Sequence, residues 1–242
     1  MKEKIKNEIN YLKENNDRNF SYILIFSCII LFLYCYFGSF SFFEKTFASI
    51  ENIDFWKIIY HNFMSFLLFF VIGAMFVKFV LKEKLINFGI TAGNYRLGLK
   101  LILIAIPIAF LCGLSCILDK DMTATYPLIN FGIYGEFWQI FLYYLSYFLY
   151  YLGWEFLFRG ILYFSSEKKC GVMGAILIST LISALIHTSI GAFGKPMIET
   201  LSAIPAGLIF GYIASKTKSI WPTLIIHFLI GVSTDMCIFF FV

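Results

Sequence analysis

The chain has 242 residues, of which 60% are hydrophobic, 20% aromatic and only 14% charged. A soluble domain averages about 45–50% apolar and about 25% charged, so this composition belongs in a bilayer, and the length suits one bundle of helices with no second soluble domain. The net charge of +4 comes from basic residues scattered between apolar runs. No Lys/Arg-rich stretch is interleaved with aromatics, which excludes nucleic acid as a partner and makes the charge a matter of membrane topology.

Residues 1–19 are polar and charged, with Ile5, Ile9 and Leu12 at helical spacing, and read as a cytoplasmic N-terminal segment carrying a weak surface helix. The run from Ser21 to Phe37 is too long for the core of a signal peptide and has no small-residue cleavage site after it, so it reads as an uncleaved membrane helix. The transmembrane bundle then occupies 20–242. At about 20 apolar residues per crossing, the chain predicts seven spans, near 21–42, 61–81, 98–118, 137–165, 171–190, 201–215 and 219–241. A different cut of the long fourth run makes eight. Segment Lys82 to Lys100 mixes glycines, charges and a few apolar residues and reads as an interfacial stretch. The fold class is therefore all-α, a polytopic membrane helix bundle.

Lys and Arg alternate between rich and poor connections: Lys2, Lys4, Lys6, Lys13 and Arg18, then Lys45 and Lys57, then Lys78, Lys82, Lys84, Arg96 and Lys100, and so on to Lys216 and Lys218. By the positive-inside rule this predicts a cytoplasmic N-terminus. The six cysteines, Cys28, Cys35, Cys112, Cys116, Cys170 and Cys237, lie mostly inside apolar runs without a CxxC or Cys/His cluster, and read as small apolar residues. Trp56, Trp138 and Trp221 sit near predicted membrane boundaries, as do His61 and Glu136.

Three ionisable side chains fall where a membrane helix should be apolar: Glu155 and Arg159 in GWEFLFRG, and His227 in WPTLIIHFLIG. His187 closes another apolar run, ISALIHTS. A charge at bilayer depth costs roughly 2.5–3.5 kcal/mol or more, so it marks a partner or a task. Glu155 and Arg159 are four apart, on one helix face, where carboxylate and guanidinium can meet. Read alone, that pair is as much a structural lock as a functional group. Two histidines on later helices tilt the balance. A carboxylate and two imidazoles can hold and activate a water, the carboxylate as general base and the imidazoles as oxyanion donors. At about 1.5 Å per residue, Glu155 and His227 fall within a turn of each other in depth, whereas His187 lies one or two turns further out.

Two further features belong to the pattern. Ala175, Ser179 and Ser183 recur every four residues, as do Ala203, Gly207 and Gly211, which predicts close packing of the fifth and sixth spans. Lys195 and Glu199 flank Pro196 four apart and read as a solvated pair.

The run Glu155-Phe-Leu-Phe-Arg159-Gly160, followed by a histidine in the next helix and another in the last, resembles the CPBP (CAAX protease and bacteriocin-processing, or Abi) family of intramembrane endopeptidases, to which the Ras-converting prenyl-protein endopeptidases belong. The resemblance covers 134–242. It implies an EExxxR motif at Trp154 to Arg159, a second-motif histidine at His187 and a last-helix histidine at His227. It also implies cleavage of a membrane-associated peptide or protein by glutamate-activated water, in a bacterial cytoplasmic membrane. Two positions depart from the pattern: Trp154 replaces the first glutamate, leaving only Glu155, and Gly231 stands where asparagine is frequent, with Asp235 the nearest replacement. The alternative those departures raise is a non-catalytic scaffold serving bacteriocin self-immunity or regulating a membrane partner. Glu155, His187 and His227 would also make the three-ligand, open pattern of a catalytic divalent metal such as zinc. Nothing like HExxH fixes two of those ligands on one helix, so metal stays an open question.

Overall fold

Regular structure is entirely helical in residues 18–188 and 194–242, the part of the chain that the computed structural model describes. The predicted N-terminal segment lies almost wholly outside those residues. In order come α1 (Arg18–Phe37), a short α2 (Phe40–Thr46), α3 (Ile53–Val80), α4 (Tyr95–Cys116), α5 (Lys120–Thr125), α6 (Phe137–Glu155), α7 (Phe164–Ile186), α8 (Met197–Thr217) and α9 (Trp221–Phe241). A wide π-helical stretch, Phe156–Tyr163, joins α6 to α7.

Six of these helices are long and apolar enough to cross a membrane. The longest, Phe137–Ile186, runs for 50 residues and carries the fourth and fifth predicted spans end to end. Its two arms meet at Gly171, whose φ of 68° and ψ of 176° leave helix geometry. Only glycine adopts such a backbone without steric cost. The seven apolar runs of the sequence thus map onto six helical stretches among the described residues, one of which is two helices that meet at the non-helical Gly171. The sixth run is longer than its apolar stretch indicated, because α8 begins directly after Pro196 and takes in Glu199 and Thr200 in its first turn. Helices satisfy every backbone group internally, which is the condition for crossing hydrocarbon.

Helix α6 is the axis of the molecule. Against α3 it makes polar, close contacts: Asn62 Nδ2 donates to Ser146 Oγ at 3.0 Å, and Ser65 Oγ to the Tyr150 carbonyl at 3.0 Å. The π-helical stretch beyond it is buried throughout, from Phe156 to Tyr163. Such wide turns recur at functional sites. Helix α7 packs on α8 through the predicted small residues. Ala175, Ser179 and Ser183 are buried, and a Cβ added to Gly207 would stand 2.7 Å from Thr180 Cγ2.

His61 does not sit at an interface. It is 5% exposed within α3, its Nε2 3.0 Å from Tyr34 Oη and its Nδ1 2.7 Å from the Gly38 carbonyl. Its ring stacks on Tyr150 of α6 at 5.7 Å. The sequence offers no sign of this, since the partners lie on other segments.

Candidate active site

Glu155 ends the regular part of α6 and is wholly buried. Its Oε1 accepts from Arg159 Nη1 at 3.2 Å and from His227 Nδ1 on α9 at 2.8 Å. Arg159 is 2% exposed, and its guanidinium lies over the Phe210 ring of α8 at 5.3 Å. His227 is the member of the group that meets open space, with 20% of its side chain exposed against none for Glu155. Glu155 Oε2, Arg159 Nε and the neighbouring Trp154 Nε1 are buried without a hydrogen-bond partner among the described residues. Buried polar atoms of this kind cost about 1–3 kcal/mol each when left unmatched, so their concentration at one place marks a site rather than a packing seam.

His187 enters from the end of α7 and meets the group through Trp154. The two rings are 5.1 Å apart, edge to face at 80°. Its Nδ1 donates to the Ser183 carbonyl at 2.6 Å, which leaves Nε2 for other chemistry. The bend at Gly171 brings the arm of α7 back towards α6, although the depth count alone places His187 one or two turns away. Trp154 itself is clamped by Tyr150 (5.6 Å, stacked) and Phe158 (4.8 Å). The side chain at position 154 therefore faces His187, and that at 155 faces His227.

The space beside Gly231 is taken by two tyrosines of α6. A Cβ added there would stand 2.6 Å from Tyr151 Oη and 2.7 Å from Tyr147 Oη, and Tyr151 Oη donates to Tyr147 Oη at 2.9 Å. Tyr151 also lies on the His227 ring, centroid to centroid 4.2 Å. An asparagine cannot fit where these hydroxyls are. Asp235 is fully buried but accepts from Tyr143 Oη at 2.8 Å rather than joining Glu155.

Residues 136–233 match the family described as Rce1-like, type II CAAX prenyl endopeptidase. This part of the chain is similar to the CAAX-protease family. No curated protein and no solved structure matches the chain. The stretch that matches the CAAX-protease family begins at the cap of α6 and ends on α9, so it holds all four residues singled out in the sequence. With six helices long and apolar enough to cross a membrane, the match supports an integral membrane protein.

The metal question is answered by where the donors lie. Among the described residues no three His, Cys, Asp or Glu side chains converge to hold an ion. Glu155 and His227 pair directly, while Trp154 stands against His187, so the three-ligand arrangement is not formed. The residues present do not fit a catalytic zinc.

One carboxylate is placed differently from its sequence reading. Glu199, in the first turn of α8, is 24% exposed and Lys195 17%, so the pair is largely enclosed. Lys195 Nζ lies 2.9 Å from Glu199 Oε1, and Tyr126 Oη donates to Oε2 at 2.8 Å. Lys195 Nζ also donates to Tyr126 Oη. Burial, with the Glu199 charge added, pushes the Tyr126 phenol well above its ordinary range, so it stays a donor. The sequence signal for this cluster is the Lys-Pro-x-x-Glu spacing at a helix start. Tyr126, in the connection after α5, has none.

Proposed function

We propose that the protein is an intramembrane endopeptidase that hydrolyses a membrane-associated peptide or protein by acid–base activation of water. The observation that carries this reading is the Glu155 carboxylate, buried and shared between Arg159 and His227 at 3.2 and 2.8 Å, beside polar atoms that have no hydrogen-bond partner among the described residues. The charge on Arg159 balances the carboxylate. With Nδ1–H given to Glu155, a neutral His227 carries its lone pair on Nε2, on the one side chain of the three with open surface. His227 Nε2 is then the base that takes a proton from water, and Glu155 holds the imidazole in the right tautomer and stabilises its charged form, as a carboxylate does in a triad. This moves the base from Glu155, where the sequence reading put it, to its hydrogen-bonded partner. The water oxygen attacks the scissile carbonyl carbon, and the carbonyl electron pair moves to oxygen. Arg159 Nε and Trp154 Nε1 are unspent donors nearby.

The substrate's peptide bond must reach the bundle interior from the bilayer, so a prenylated tail and a leader peptide anchored at the membrane are both of suitable chemistry. The test is cleavage of a panel of such peptides by the purified protein, with Glu155→Gln and His227→Ala alongside. Cleavage lost in both variants, with folding retained, supports the assignment. A folded wild type that cleaves nothing across the panel refutes it and favours the non-catalytic scaffold on which Trp154 fills a closed site.

A further inference from the structure

We propose that the indole N–H of Trp154 is the donor that meets the oxyanion of the tetrahedral intermediate, an assignment that rests on the endopeptidase reading above.

Trp154 is 3% exposed, and its Nε1 is buried without a hydrogen-bond partner among the described residues. An indole nitrogen can only donate, so what it lacks is an acceptor. Two other atoms of the site share that state, Arg159 Nε and Glu155 Oε2. They belong to one ion pair and complement each other, a donor and an acceptor. The indole N–H has no complement of that kind. An oxygen brought in by a substrate supplies one.

The side chains packed on the indole offer it rings. Tyr150 stacks on it at 5.6 Å, Phe158 lies at 4.8 Å, Phe69 at 6.1 Å and His187 edge to face at 5.1 Å. Tyr150 is backed in turn by His61 of α3, whose ring lies 5.7 Å away at 26°. A column of rings from two helices therefore fixes the indole. A donor already held in place costs no reorganisation when charge develops, which is what makes such a group effective. His187 does not serve as the donor here. Its Nδ1 proton goes to the Ser183 carbonyl, and an uncharged imidazole has no second N–H to give.

The placement suits the reaction. Base, water, carbonyl carbon and oxyanion donor follow one another at about 3 Å each, so base and donor belong on different sides of the reacting carbonyl. Trp154 and Glu155 are consecutive on α6, and their side chains diverge by about 100°. Position 155 holds the base, His227, and position 154 holds the donor. A peptide carbonyl seated between the two directions meets both.

His227 Nε2 takes a proton from water, whose oxygen bonds to the carbonyl carbon. The carbonyl π pair moves onto oxygen, which accepts from Trp154 Nε1. On collapse that pair re-forms the carbonyl and the C–N bond breaks with its electrons on nitrogen. The proton held by His227 passes to the departing amine. The indole keeps its own proton throughout.

The test removes the N–H and keeps the ring. Trp154 is replaced by 3-benzothienylalanine, in which sulfur stands for the N–H, and separately by phenylalanine. On a peptide that the wild type cleaves, kcat should fall about 10²–10³-fold, the size of one oxyanion donor, with KM little changed. Affinity for a phosphinate analogue of that peptide, a tetrahedral anion, should fall by the same factor. A second readout needs no variant to be active. The chain has four tryptophans, and in the ¹⁵N-indole spectrum of the wild type the Trp154 resonance, identified by its loss in Trp154→Phe, should move downfield when the phosphinate binds. A benzothienyl protein that turns over like wild type, a loss carried by KM alone, or a phosphinate that binds without moving that resonance overturns the role of Trp154 and leaves the endopeptidase standing. A wild type that neither cleaves the peptides nor binds their phosphinates overturns the endopeptidase reading and this one with it.

Discussion

Arg159→Met isolates the electrostatics of the site from its chemistry. The substitution keeps the apolar stem against its neighbours and removes the charge, leaving Glu155 with no exposed surface and no balancing cation. Breaking a buried ion pair by deleting one partner costs about 3–5 kcal/mol, because the survivor stays buried and uncompensated. The guanidinium over Phe210, at 5.3 Å, adds on the order of 1 kcal/mol. For a chain of this length each kcal/mol shifts Tm by about 2–4 °C, so a loss of about 4–6 kcal/mol should make Arg159→Met unfold roughly 8–24 °C below wild type. The assay is thermal unfolding of the purified protein in one detergent, followed by circular dichroism, for Arg159→Met, Glu155→Gln and the double variant. With the carboxylate neutralised, the missing cation matters less, and the double variant should be more stable than the sum of the single losses by about 2 kcal/mol or more. Additive losses, or an Arg159→Met variant within a few degrees of wild type, would refute the claim that the pair is mutually compensating.

Two further outcomes test the packing that presents the site. Gly207→Ala places a methyl 2.7 Å from Thr180 Cγ2 and should force α7 and α8 apart, at about 1–3 kcal/mol of stability; combined with Thr180→Ala most of that loss should return, and no recovery would mean the seam is not where the strain arises. Tyr143→Phe removes the hydroxyl that donates to Asp235 Oδ2, whose Oδ1 already lacks a partner, and should cost about 1–3 kcal/mol. Adding Asp235→Asn should restore stability in the same unfolding assay, and a second, larger drop would show that Asp235 draws its support from elsewhere.

What the sequence determines by itself is whatever depends on a short window. An apolar run of about twenty residues is a property of consecutive side chains, and so the membrane spans could be counted before any contact was known. The same holds for Glu155 and Arg159, whose four-residue spacing puts them on one face of whatever helix carries them, and for the every-fourth small residues that meet between α7 and α8. The depth of an ionisable residue along its span is also local, which is why Glu155 and His227 fell at one level.

Contacts between segments are not local, and only the tertiary structure decided them. The bend at Gly171 brings His187 to Trp154. The docking of α3 on α6 buries His61, and the connection after α5 carries Tyr126 to Glu199. The hydroxyls of Tyr147 and Tyr151 fill the place beside Gly231. None of these partners is near the other in the chain, and aromatic residues are too common here, at 20% of the sequence, for any one of them to announce its role. Exposure is likewise a property of the packed bundle. Position along their spans sets Glu155 and His227 at the same depth, but the packing of α6 against α9 leaves the imidazole open and encloses the carboxylate, and that difference selects which of the two meets water.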